Sequence, residues 1–234
     1  MAARSGVPPV FVALSPGDLA GDPAGDLGGS RVDAFTAQAL SALDAGLPGL
    51  LLREPLLGDR ALFSLAASLA QRARALGAWF CMHDRAHLAV AVEADALHLG
   101  FRSLEPEAAR RLLPDSMGLG LSTHAGEAPR GLELCTYRVH GPVFDTPSKR
   151  GWKEPLGLEA LGNAARASPI PLWAIGGLRP EHAGPILARG VRGLVARASV
   201  FSPGESPSLA ARRVEAWLAA LADAGGPSGV VRRG

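Results

Sequence analysis

Eight short apolar runs recur down the chain, separated by longer stretches in which apolar residues return every three or four positions. The runs are Val10–Leu14, Gly49–Arg53, Trp79–Met82, Ala96–Leu99, Met117–Leu121, Tyr137–Val139, Leu172–Ile175 and Gly193–Ala196, and each predicts a buried strand. The intervening stretches predict helices. Arg31–Ala45 presents Phe35, Ala39 and Leu43 on one face and stops at Gly46, and a second helix runs from a cap at Asp59 to Leu76, closed by Gly77. Shorter helices follow: one ending at Val92, Glu105–Leu113, a weak turn over Gly126–Leu132, Leu158–Ala167 and Pro180–Arg189. Ser208–Leu221 is a last amphipathic helix.

Strand–helix pairs of this kind imply parallel strands, because each crossover helix returns the chain to the same edge. Eight of them close most simply into a single (β/α)8 barrel, expected over residues 1–222 with a mobile Gly/Pro-rich loop at about 15–30 and a flexible tail at 223–234. An open doubly wound sheet would favour a G-x-G-x-x-G turn after its first strand, and Ser15–Ser30 has glycines without that spacing. Barrel sites lie at the C-terminal ends of the strands, so polar residues are expected to collect there. Arg53, His83, Asp84, Ser122, His124, Thr146, Gly176, Gly177 and Ser199 all fall just after predicted strands.

Composition agrees with one large globular domain: 234 residues, 47% hydrophobic and 20% charged. Lys and Arg outnumber Asp and Glu by only 24 to 22, which argues against nucleic acid or an anionic membrane as partner. No apolar run approaches the roughly 20 residues of a membrane span. The N-terminal apolar segment is short and broken by Pro8 and Pro9, a poor secretion signal. Two cysteines, Cys81 and Cys135, are too few for a disulfide framework, so a cytoplasmic setting is expected. Homo-oligomerisation is left open.

The stretch His140–Gly151, HGPVFDTPSKRG, carries Thr146, Ser148 and Lys149, whose hydroxyls and ammonium suit an oxyanion. Gly176–Gly177 allow close backbone approach, the helix at Pro180 would offer N–H groups, and Ser199 would complete a phosphate cup at the seventh and eighth strands. The plain alternative is that the two glycines make a tight turn. Asp84 is a candidate Mg²⁺ ligand, but the nearby loop GFRSLEP offers only Ser103 beside it, and pairing with Arg85 or capping the helix at Ala86 accounts for it equally well. No confident metal site emerges. His124, after Ser122, is the candidate general acid–base. His83 and His140 are weaker candidates, and His98 is expected to pack in its strand.

The elements LLLREP, MHDRAHLAVAVEADALHLG, GLSTHAGEA, GPVFDTPSKRG, PLGLEAL, WAIGGL and VARASVF, between about Leu50 and Phe201, resemble the thiamin phosphate synthase/thiazole tautomerase family. The resemblance implies a barrel that binds a thiazole phosphate, with Gly177 and Ser199 on its phosphate and Arg53, Thr146, Ser148 and Lys149 in the synthase's pyrophosphate region. There are departures. The pattern Q-x-R-E-K is Leu51-Leu52-Arg53-Glu54-Pro55, N-D-R is His83-Asp84-Arg85, and Ser103 stands where a second metal-binding Asp is expected. Loss of a Lys and a carboxylate weakens the case for a Mg²⁺–diphosphate reaction, so the motifs favour a thiazole tautomerase that needs no cofactor and uses His124. The alternatives are a Mg²⁺-dependent synthase joining thiazole phosphate to pyrimidine diphosphate, and a phosphate-binding thiamin-pathway protein without turnover.

Overall fold

A computed structural model describes residues 5–21, 28–127, 129–146 and 154–225. Eight parallel strands close into a barrel in sequence order, β1 (Phe11–Leu14), β2 (Gly49–Leu52), β3 (Trp79–His83), β4 (Ala96–Leu99), β5 (Gly118–Thr123), β6 (Tyr137–His140), β7 (Leu172–Ile175) and β8 (Gly193–Ala196). β8 returns to pair with β1, Val12 opposite Val195. The expected (β/α)8 fold is therefore the observed one.

Strand alternation divides the apolar side chains into two cores. Val12, Leu51, Trp79, Cys81, Ala96, Tyr137, Val139, Trp173 and Val195 fill the barrel interior. Trp79 and Trp173 meet Tyr137 edge-to-face at 5.9 and 5.7 Å between ring centroids. Gly120 makes room for that phenol: a Cβ there would lie 2.1 Å from Tyr137 Cζ and 2.6 Å from His98 Nδ1. The other residues of each strand meet the helix layer, formed by α1 (Gly28–Asp44), α2 (Asp59–Leu76), α3 (Ala86–Ala91), α4 (Pro106–Arg110), α5 (Gly157–Ala167), α6 (Ala183–Leu187) and α7 (Pro207–Asp223). Phe11 of β1 stacks on Trp217 of α7 at 4.7 Å, which ties the last helix to the first strand.

Several local expectations are corrected. Gly58, not Asp59, is the N-cap of α2, and no side chain caps it. Asp59 instead accepts contacts from Arg85 (3.2 Å) and His87 (3.0 Å), joining α2 to the turn before α3. The helix expected to Leu113 ends at Arg110, and the β5–β6 connection carries a 3-10 turn at Leu132–Leu134. Likewise Pro180–His182 is a 3-10 turn that leads into the five-residue α6. Of the expected mobile loop, residues 22–27 lie outside the described residues, as do Ser148, Lys149 and the last nine residues of the tail.

Candidate active site

A cavity of about 850 Å³ opens at the C-terminal ends of the strands. Its lining includes Arg53, His83, Asp84, Ser122, His124, Thr146, Gly176, Gly177 and Ser199, so these residues proposed from the sequence face the same space. Parity explains the convergence. Leu51, Cys81, Tyr137 and Val195 point into the barrel, so residues two further along their strands, Arg53, His83, Val139 and Arg197, point inward one layer higher. His140 is one residue out of phase and does not line the cavity. Its Nδ1 instead lies 2.8 Å from Thr123 Oγ1 and 3.0 Å from Arg138 Nη2, and burial, with Arg138 and His124 nearby, lowers its pKa to about 4.

Directly after β7, Gly176 and Gly177 take φ values of 106° and 66°. A Cβ on Gly177 would sit 2.6 Å from the Asp145 carbonyl oxygen and 2.8 Å from Phe144 Cβ. The glycine is thus required by the fold itself, quite apart from any ligand. Among the described residues the N–H groups of Gly177, Leu178, Ala198 and Ser199 donate to no protein acceptor, and all four residues line the cavity. Unpaired peptide donors gathered at adjacent strand ends make an oxyanion nest. At the expected helix N-terminus the Arg179 N–H already donates to His182 Nδ1 at 3.2 Å. Ser199 Oγ accepts from buried Trp217 Nε1 at 3.3 Å.

Facing this nest is a charged rim. Asp84 and Arg85 are consecutive non-glycine residues with φ of 57° and 52°, a costly conformation of the kind that collects at functional sites. Burial pushes the Asp84 carboxyl up, but His83 (Nδ1 at 3.1 Å), the Ser103 hydroxyl and the Arg85 charge outweigh it and hold the pKa below the usual carboxylate range. Arg53 sits beside it, its pKa lowered chiefly by burial and further by Arg197 and Arg102, against the opposing charges of Glu54 and Asp84. Glu54 lies outside the cavity lining. Its carboxylate accepts the N–H groups of Gly17 (2.8 Å) and Leu19 (3.0 Å) and holds the β1–α1 loop, while burial raises its pKa. Among the described residues no three His, Cys, Asp or Glu side chains gather as a metal site.

His124 follows β5 at the mouth. Its Nδ1 lies 3.1 and 3.2 Å from the two Glu127 oxygens, and its backbone N–H donates to the same carboxylate at 2.9 Å. A carboxylate so placed fixes the orientation of the imidazole. The i, i+3 spacing in THAGE was a usable signal for this pair. His98 does not simply pack, contrary to expectation. It lines the cavity floor, with Nε2 2.9 Å from Ser122 Oγ and Nδ1 3.2 Å from the Tyr137 hydroxyl. Burial foremost, then the charge of His83, lowers its pKa to about 3, so it is neutral. Arg102 and Arg197 were also missed, and both line the cavity.

Comparison with known proteins agrees with this geometry. A family model described as thiamine monophosphate synthase matches residues 28–200. The chain is 40% identical over 179 residues to the thiamine-phosphate synthase of Chlorobium luteolum, covering 76% of this chain and 84% of that one. It is 34% identical over 188 residues to the thiamine-phosphate synthase of Moorella thermoacetica, covering 80% and 89%. The fold matches a thiamine phosphate pyrophosphorylase structure from Pyrococcus furiosus with a TM-score of 0.73 at 22% identity, over 95% of this chain and 99% of the other.

Proposed function

This chain belongs to the thiamine monophosphate synthase family, and on that premise we propose that it joins a thiazole phosphate to a pyrimidine diphosphate in the strand-end cavity. The observation that carries this reading is the pairing of two anion-binding ends across one space: the peptide nest at Gly177 and Ser199, and the guanidinium groups of Arg53 and Arg102 on the side of Asp84. The thiazole phosphate takes the nest and the diphosphate takes the arginines, which leaves the rings to meet above Ser122. Guanidinium charge in a partly desolvated site favours departure of the diphosphate as the new bond to the pyrimidine forms. Synthase relatives at 34–40% identity also support this order of preference, which reverses the one drawn from the motif departures.

A Mg²⁺ ion fits one side of this arrangement. Asp84, its carboxyl held below the usual carboxylate range and flanked by the Ser103 hydroxyl, would supply the protein's anionic donor to such an ion. When bound, the ion would neutralise charge on the leaving group. The protein's own part is to hold Asp84 in its left-handed conformation through His83, and to supply the arginines.

The His124–Glu127 pair favours a second reading, thiazole tautomerase, since an oriented imidazole can move a proton at neutral pH. One assay series separates the two. Purified protein is given thiazole phosphate and pyrimidine diphosphate with and without Mg²⁺, and separately a thiazole carboxylate phosphate awaiting aromatisation. Mg²⁺-dependent formation of thiamin phosphate supports the synthase. Metal-independent aromatisation that falls about 10²–10⁴-fold in His124→Gln, with no thiamin phosphate formed, would overturn it in favour of the tautomerase. Phosphate binding without either turnover would leave a binding protein.

A further inference from the structure

Arg53 and Glu54 follow β2 on opposite phases. Arg53 lines the cavity, whereas Glu54, only 3% exposed, lies outside its lining. Burying a carboxylate is costly unless its oxygens are satisfied. Here one short segment of the β1–α1 loop satisfies both: Oε1 accepts the Gly17 N–H at 2.8 Å, and Oε2 accepts the Leu19 N–H at 3.0 Å. Ser15, where that segment begins, is bonded to the Arg53 backbone in both directions. Its Oγ accepts from the Arg53 N–H at 2.8 Å and donates to the Arg53 carbonyl at 3.1 Å. The same segment touches the guanidinium groups at the mouth. Gly17 takes a φ of 91°, and a Cβ on it would lie 3.1 Å from Arg53 Nη1, so its backbone rests against that guanidinium. The Pro16 carbonyl accepts from Arg197 Nη1 at 3.0 Å. Consecutive loop residues thus touch two like charges that share one cavity.

We infer that Glu54 is a positioning residue: it grips the Gly17 peptide and so holds the Arg53 guanidinium in the orientation in which it meets an anion. The inference rests on the synthase reading for the identity of that anion, a diphosphate, but not for its measurement. Glu54 itself touches no ligand. An arginine free among its rotamers must be ordered when the ligand binds, and the folded loop has already done that ordering. Glutamine is no substitute. Its amide oxygen would accept one loop N–H, but its NH2 would face the other, donor against donor.

The probe is inorganic pyrophosphate, titrated into the full chain by calorimetry at fixed Mg²⁺. Glu54→Gln is expected to weaken binding roughly threefold to tenfold, the worth of ordering one long side chain. In an Arg53→Gln background the same change should cost no further affinity, although it still lowers Tm. A carboxylate that only stabilised the fold would weaken binding equally in both backgrounds. Gly17→Ala approaches from the loop side, since its methyl group would press on Arg53 Nη1 while Glu54 is left intact. It too should weaken binding in the parent and not in Arg53→Gln, and it decides the matter by the same criteria if Glu54→Gln does not fold. Parental affinity in Glu54→Gln, or a loss as large without Arg53 as with it, would overturn the assignment. The expected cycle in a protein that makes no thiamin phosphate would sink the synthase reading alone. Thiamin phosphate formation without the cycle would sink the assignment alone, and a parent that binds no pyrophosphate would sink both.

Discussion

Removing one buried hydroxyl, in Tyr137→Phe, tests how the floor of the site is organised. Tyr137 is fully buried, and its oxygen lies 3.2 Å from His98 Nδ1 and 3.5 Å from Cys81 Sγ. Neutral His98 has one donor and one acceptor nitrogen. An imidazole nitrogen is a better acceptor than sulfur, so the phenol donates to Nδ1, Nε2–H donates to Ser122 Oγ, and the serine proton points into the cavity. In the phenylalanine variant Nδ1 is left without a partner, a cost of about 1–3 kcal/mol for a buried polar group. For a chain of this size that lowers Tm by roughly 2–12 °C, measurable by thermal or urea unfolding. The lost bias on the tautomer lets Ser122 turn, and turnover should fall by up to about tenfold, the worth of one neutral hydrogen bond. A double-mutant cycle isolates the path: once Ser122 is alanine, Tyr137→Phe should cost no further turnover, although it still costs stability. Unchanged Tm, or an undiminished kinetic effect of Tyr137→Phe in the alanine background, would refute the chain of hydrogen bonds.

Stability should also fall on mild acidification. His98 and His140 have native pKa values depressed to about 3 and about 4 by burial, whereas the unfolded chain protonates them near 6.5. The unfolded state therefore binds more protons below that pH, and the stabilisation present at pH 7 is lost progressively as pH falls toward the native values. Urea unfolding at pH 7 and pH 5 should differ by about 2 kcal/mol from His98 alone, and His98→Gln should shrink the difference; a pH-independent midpoint would count against neutral burial. At the peptide nest, Gly177→Val should reduce thermal stability as well as affinity for the proposed thiazole phosphate, because its Cβ meets the Asp145 carbonyl at 2.6 Å and φ is 66°. A variant with parental Tm would mean that the turn relaxes and that ligand approach alone requires the glycine.

What the amino-acid order determined by itself was the barrel and the ring of residues at its mouth. Eight apolar runs at strand length, each followed by a turn and a helical period, leave few other ways to bury the chain, and a residue just after a strand must lie at the C-terminal rim. Hence Arg53, His83, Asp84, Ser122, His124, Thr146, Gly177 and Ser199 were legible. Which side chains face one another across the rim was decided only by closure and register. Arg197 and Arg53 are 144 positions apart in the chain, and they become neighbours across one strand because β8 closes on β1. His98 resembles a packed strand residue in one dimension. Its inward phase on β4 sets it between Tyr137 of β6 and Ser122 of β5, in space that Gly120 vacates. Local periodicity specifies the phase of each strand, but the partner across the barrel depends on how all eight phases add up around the ring.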